Sequence, residues 1–333
     1  MILNVLAFGL SFIITFMFLP YFIKRLSDSE NTIIDMYKFD KPKIPTHGGV
    51  VVLFIVIFVC SILPLIGKLL GRLSINYVEL EILDVSILFV ITIFGLFGVF
   101  DDLVNLPWLP KIFIPVCFSF PLLLFFNPET LVIPHIINIE LSHEFISGFD
   151  YSDIFKFLII PVYIMVVSNL VNMHSGFNGL QTGLSTIVLI TIMIKIYIDD
   201  DVTNIIVPAT FLGGMLALWF YNKYPSRIFE GNIGPLAFGA VIGTFIVIKE
   251  LYFFGIIILF PHIIDFLMLC YIRLKGYTFV KFGKLNSDGT IDAPNPIKVK
   301  FLLPYYYKLT EPQVVNICYL ITIFFCILGL LLT

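Results

Sequence analysis

Ten long apolar runs, parted by short polar stretches, make up most of this chain. They fall roughly at residues 2–23, 48–70, 84–100, 111–127, 154–171, 181–198, 204–221, 235–249, 251–274 and 312–332. About 20 apolar residues cross a bilayer as a helix. The pattern therefore predicts an all-α, polytopic integral membrane protein with about ten transmembrane helices, organised as one domain over residues 1–333. Lys249 and Glu250 barely separate the eighth run from the ninth, and Pro261 predicts a kink within the ninth. The first run is too long and too weakly flanked for a cleaved signal peptide and reads as a retained helix.

Composition supports this reading. The chain is 59% hydrophobic and 13% charged, whereas soluble domains are nearer half apolar and a quarter charged. The placement of charge says more than the net value of −3. With the N-terminus outside, the loops 24–47, 101–111, 172–180, 222–234 and 272–311 are cytoplasmic and hold 15 of the 20 Lys and Arg residues. That is the expected positive-inside bias. Membrane lipid is an expected partner and nucleic acid is not. Cys60, Cys117, Cys270, Cys318 and Cys326 lie in or beside apolar runs without a CxxC spacing and read as inert thiols.

Every conspicuous polar cluster falls on that same face. In FGVFDDLVNLPWLPK (97–111), Asp101 and Asp102 sit at the end of the third helix, where they oppose the helix dipole and each other. A bound cation would offset that repulsion; a solvated helix end is the other reading. Neighbouring helical residues point about 100° apart, so the two aspartates are expected to do different jobs. Lys111 is placed to meet a phosphate as a point charge. In NLVNMHSGFNGLQTG (169–183), Asn169 and Asn172 share a helix face, and their carbonyls suit a hard cation such as Mg²⁺. The stretch Ser175 to Gly179, including Asn178, lets backbone approach a ligand before the sixth helix presents its N-terminal N–H groups. His174 reads equally as a structural histidine or a substrate contact. In NKYPSRIFEGNIGPLAFGAVIG (222–243), a glycine-rich turn and Pro235 open another helix on the same side, and Gly239 and Gly243 read as close-packing positions. His262 and Asp265, three residues apart inside a span, face the bundle; structural hydrogen bonding and a place in the site stay open for them. Together these features describe a pocket for Mg²⁺ and a diphosphate.

The four segments DKPKIPTHGG (40–49), FGVFDDLVNLPWLPK, NLVNMHSGFNGLQTG and YPSRIFEGNIGPL (224–236) resemble, in this order, the polyprenyl-phosphate N-acetylhexosamine-1-phosphate transferases. The third segment looks like the eukaryotic and archaeal branch, with its N-G-L-E/Q-x-G sequence, and unlike the D-G-L-D-G-L of the bacterial wall-precursor branch. The resemblance implies a ten-helix fold with a cytoplasmic active site. It also implies a polyprenyl (dolichyl) phosphate acceptor, a UDP-N-acetylhexosamine donor with UDP-GlcNAc favoured, and Mg²⁺, for which Mn²⁺ can substitute. Position by position, Asp101 and Asp102 match the active-site pair, and Lys111 a lysine at the lipid phosphate. Asn172 matches a Mg²⁺ ligand, Asn178 a contact to the nucleotide sugar, and Phe229 an aromatic at the uracil. Asn232 stands where the family commonly has a metal-binding Asp, which predicts weaker metal binding without nucleotide. The tail loop lacks the family's basic histidine-containing motif, for which Lys281 in FVKFGKLN (279–286) is the substitute candidate. Dimers occur in the family. The expected location is an archaeal cell membrane, or the endoplasmic reticulum in a eukaryote. The alternatives are another UDP-sugar, an inactive relative, or a lipid transporter; the gathering of polar motifs at one face disfavours the last.

Overall fold

The computed structural model describes residues 2–71, 81–128, 130–133, 137–141, 144–146, 149–276, 280 and 282–333. Helices occupy all ten apolar runs, and one more forms in the loop between the ninth and the tenth. They are α1 (Ile2–Asp28), α2 (Gly48–Gly71), α3 (Ile82–Val104), α4 (Trp108–Phe113), α5 (Ile160–Met173), α6 (Leu180–Ile198), α7 (Ile206–Asn222), α8 (Ile233–Ile248), α9 (Tyr252–Ile258), α10 (Phe260–Leu274), α11 (Val299–Tyr306) and α12 (Glu311–Leu332). Among the described residues, six helices are long and apolar enough to cross a membrane, or seven if α9 and α10 form one bent span.

Length is where the observed elements differ from the expected ones. The fourth run, expected as one span, is broken: α4 passes into a 3-10 turn over Ile114–Ser119 and a short helix Phe120–Leu123. Pro110, Pro115 and Pro121 each remove a backbone donor from what would have been a continuous ladder. The helices α7 and α8 have 17 and 16 residues, shorter than a full apolar crossing. The kink expected at Pro261 is there: α9 and α10 meet at 69°.

The centre of the bundle is α8, buried at every residue from Ile233 to Val247. Small residues let its neighbours press onto it. A Cβ on Gly239 would lie 2.5 Å from the Cα of Ser168, whose hydroxyl donates to the Leu236 carbonyl at 2.8 Å. At the N-terminal end of α8, a Cβ on Gly49 would meet the Gly234 nitrogen at 2.4 Å, and one on Gly98 would meet the Asn232 carbonyl at 2.6 Å. The start of α2 and the last turns of α3 are thus packed directly against the first turn of α8.

A two-stranded hairpin completes this end. Strand β1 (Thr32–Ile34) pairs antiparallel with β2 (Lys43–Pro45), Thr32 opposite Pro45. The chain leaving β2 is laced to the loop before α8. Phe229 N–H donates to the Pro45 carbonyl (2.8 Å), Gly48 N–H to the Phe229 carbonyl (2.8 Å) and Gly49 N–H to the Glu230 carbonyl (2.9 Å).

Candidate active site

Where α3 ends and α6 and α8 begin, the described residues enclose a cavity of about 550 Å³. Five residues singled out in the sequence, Asp102, Asn172, Asn178, Phe229 and Asn232, line it. So do His47, Gln181 and Glu230.

The two aspartates are in different environments. Asp101 is enclosed, its side chain 2% exposed. Its Oδ1 meets the Lys111 ammonium at 2.9 Å and accepts from Leu106 N–H at 3.2 Å, and its Oδ2 accepts from Asn232 Nδ2 at 3.0 Å. Asp101 therefore braces the α3–α4 turn and the entry to α8. Asp102 is open to the cavity. Its Oδ2 accepts from the Asn232 backbone N–H at 2.9 Å and lies 3.3 Å from His47 Nε2; among the described residues no hydrogen bond reaches its Oδ1. The two adjacent helical positions thus face different surroundings.

Asn178 is a structural hub. Its N–H donates to Glu311 (2.6 Å), its side-chain amide donates to Asp35 (3.2 Å), and its carbonyl accepts from Ser226 N–H (2.8 Å). Lys38 closes the cluster by pairing with Glu311 at 2.7 Å and Asp35 at 3.2 Å. Asn178 still lines the cavity, but its polar atoms hold the wall in place. Glu230 is held by Asn222 Nδ2 at 2.8 Å, and burial pushes its carboxyl up to about 7.

Several predicted residues lie off the cavity. Asn169 turns its amide back to the Met165 carbonyl at 3.0 Å on its own helix. His174 is 1% exposed and packs edge-on against His262, ring centres 4.9 Å apart; burial holds its imidazole below the usual range. Gly179, at φ +76°, opens α6 and accepts from the Tyr319 hydroxyl. Lys111 stands behind Asp101, one residue from the cavity wall. Lys281 lies outside the described residues. Sequence reasoning missed His47, Asp35, Lys38, Glu230 and Glu311. The THGG that ends the quoted DKPKIPTHGG motif is the available signal for His47; the partners of Asn178 carry none.

A second hollow, about 290 Å³ and almost wholly apolar, opens between α5 and the α9–α10 bend. Leu170, Leu259, Ile263 and Phe266 line it. Leu170 and Asn172 lie two residues apart on α5, so the apolar hollow and the polar cavity open on different faces of the same helix.

The sequence signature described as glycosyl transferase family 4 matches residues 85–250, which include both aspartates, Asn172 and Asn232. The chain belongs to glycosyl transferase family 4. This family 4 member is 29% identical to a protein of Methanocaldococcus jannaschii provisionally named a glycosyltransferase, over 90% of this chain and 87% of the relative. It is 26% identical, over 97% and 94%, to a protein of Saccharolobus solfataricus provisionally named UDP-N-acetylglucosamine–dolichyl-phosphate N-acetylglucosaminephosphotransferase. A phospho-N-acetylmuramoyl-pentapeptide-transferase of Wolbachia is 28% identical over 83% and 84%.

Proposed function

We propose that this family 4 protein transfers N-acetylglucosamine-1-phosphate from UDP-GlcNAc to a polyprenyl phosphate of the dolichyl type. The products are polyprenyl-diphospho-GlcNAc and UMP, and the reaction is the first step of lipid-linked N-glycan assembly. One observation carries the reading: Asp102, Asn172 and Asn232, delivered by three different helix ends, meet at a single polar cavity. The ten apolar runs and the basic loops support ten crossings with the cavity on the cytoplasmic side, and the branch-type motif with the archaeal relatives supports an archaeal cell membrane.

In this reaction an oxygen of the lipid phosphate attacks the β-phosphorus of the UDP-sugar. The bond from that phosphorus to the bridging oxygen breaks, and UMP leaves with the oxygen. A phosphate monoester has a second pKa near ~6, so the attacking group is already largely a dianion. The main task is to bring two anions together. Asp102, with one oxygen unpaired, orients the lipid phosphate or takes its remaining proton. Asp101 keeps Asn232 and Lys111 in place, and Lys111 contributes positive charge. The first turns of α6 and α8, neither closed by a side-chain cap, direct N–H groups and the positive ends of their dipoles to the diphosphate.

The donor set fits Mg²⁺, with Mn²⁺ as a substitute. The unpaired oxygen of Asp102 and the amide carbonyls of Asn172 and Asn232 are hard oxygen donors. Among the described residues no group of three or more His, Cys, Asp or Glu could hold a metal. That suits an ion which shares its shell with waters and substrate phosphates. When bound, the ion supplies neutralisation of the diphosphate charge.

The test is to incubate membranes bearing the protein with labelled UDP-GlcNAc, polyprenyl phosphate and Mg²⁺. Labelled polyprenyl-diphospho-GlcNAc with stoichiometric UMP is expected. Its absence, or product only with UDP-N-acetylgalactosamine, would overturn the donor assignment.

A further inference from the structure

We propose that His47 is a positioning residue for Asp102, fixing which carboxylate oxygen faces the ligand; the proposal rests on the transferase reading above. The imidazole lies in the cavity wall between β2 and α2, its Nε2 3.3 Å from Asp102 Oδ2. The same oxygen accepts from the Asn232 backbone N–H at 2.9 Å. The Asn232 N–H and the His47 imidazole, from two different loops, therefore converge on Oδ2, and among the described residues no hydrogen bond reaches Oδ1. A carboxylate held this way cannot turn about its last bond without breaking both contacts. The unpaired oxygen is presented in one direction before any ligand arrives.

The backbone at this residue supports a dedicated role. His47 has φ +72°, a left-handed conformation that residues with a Cβ rarely adopt. Such conformations persist where surrounding structure over-determines them, and they cluster at functional sites. Here the surroundings are specific. Gly231, itself at φ +68°, packs so closely that a Cβ on it would lie 3.1 Å from the His47 Cα. The two residues after His47 are hydrogen-bonded to Phe229 and Glu230, and the His47 carbonyl accepts from Val50 N–H to open α2. The loop before α8 thus holds the histidine on one side and supplies the N–H donor to Asp102 on the other. The pair is not a core salt bridge: the side chains are 26% and 22% exposed, and contacts between groups that open add little to stability. What the contact fixes is direction, and small losses of alignment at a reacting group are costly in rate.

The test compares His47→Ala with His47→Gln, whose amide keeps a donor for Asp102. In detergent-solubilised full-length protein, His47→Ala is expected to lower kcat about 10–100-fold while the KM for UDP-GlcNAc stays within about threefold. His47→Gln is expected to recover most of the loss, and both variants should keep the wild-type melting temperature within a few degrees. Wild-type kcat in His47→Ala, no recovery in His47→Gln, or kcat and melting temperature falling together would overturn the proposal. An independent readout needs no turnover. In ¹⁵N-histidine spectra of the unliganded protein, the ring resonance that His47→Gln removes should shift in Asp102→Asn; an unmoved resonance also overturns the pairing. A wild-type protein that releases no UMP from UDP-GlcNAc would sink the transferase reading, while the spectra would still decide the pairing.

Discussion

Asn178 and Asp102 line the same cavity but stand in opposite polar balance. Both ends of the Asn178 amide and its backbone N–H are engaged by Asp35, Ser226 and Glu311. Asp102 has one oxygen held by the Asn232 N–H with the His47 imidazole beside it, and the other unpaired. Buried polar groups are normally satisfied, so a saturated one is read as architecture. An unsaturated one that faces an open cavity is read as a ligand contact. By that criterion one wall of the cavity is scaffold and the other is chemistry, although both come from polar, glycine-rich loops.

The sharpest way to break this contrast is Asp102→Asn. It should reduce UMP release about 10²–10³-fold and leave the melting temperature nearly unchanged. A turnover within a fewfold of wild type would remove Asp102 from the chemistry. Next comes the scaffold wall. Glu311→Gln should remove about 2–3 kcal/mol of stability by breaking a buried ion pair with Lys38. Denaturation of the solubilised protein measures this, and an unchanged midpoint would mean the cluster is not structural. A somewhat smaller effect is expected at the helix contact that aligns the two walls. Gly98→Ala places a methyl against the backbone of Asn232 and Ile233, so a loss of about 2 kcal/mol is expected, with activity falling in parallel.

The smallest effect should come from Glu230. Its carboxyl is raised from 4.5 to about 7 by burial, so the folded state favours the protonated form. That contribution to stability is complete below pH about 4.5 and is lost as pH rises through about 7. Wild-type protein should therefore lose about 1–2 kcal/mol between pH 5 and 8, after allowance for cavity water, and Glu230→Gln should lose less. Melting curves at both pH values check the sign.

The helical frame was legible because apolar runs of this length have few alternatives in a bilayer. Helix lengths were less so. Apolar content does not reveal that three prolines break the fourth run, or that α8 has only 16 residues and is enclosed by protein along its length. The site was legible where a motif carries its own partners, as at Asp101, Asp102 and Asn232. It failed where the partner is remote. The i, i+3 spacing put Asn169 and Asn172 on one helix face, but could not show that only Asn172 lines the cavity while Asn169 returns its amide to Met165. The bonds that occupy Asn178 come from residues 143 and 133 positions away, and no local pattern announces them.

The enclosure of α8 on every side has a mechanical consequence. A rod hemmed in along its full length cannot slide or tilt unless several neighbours move with it. The end that bears Asn232 is therefore a fixed anvil.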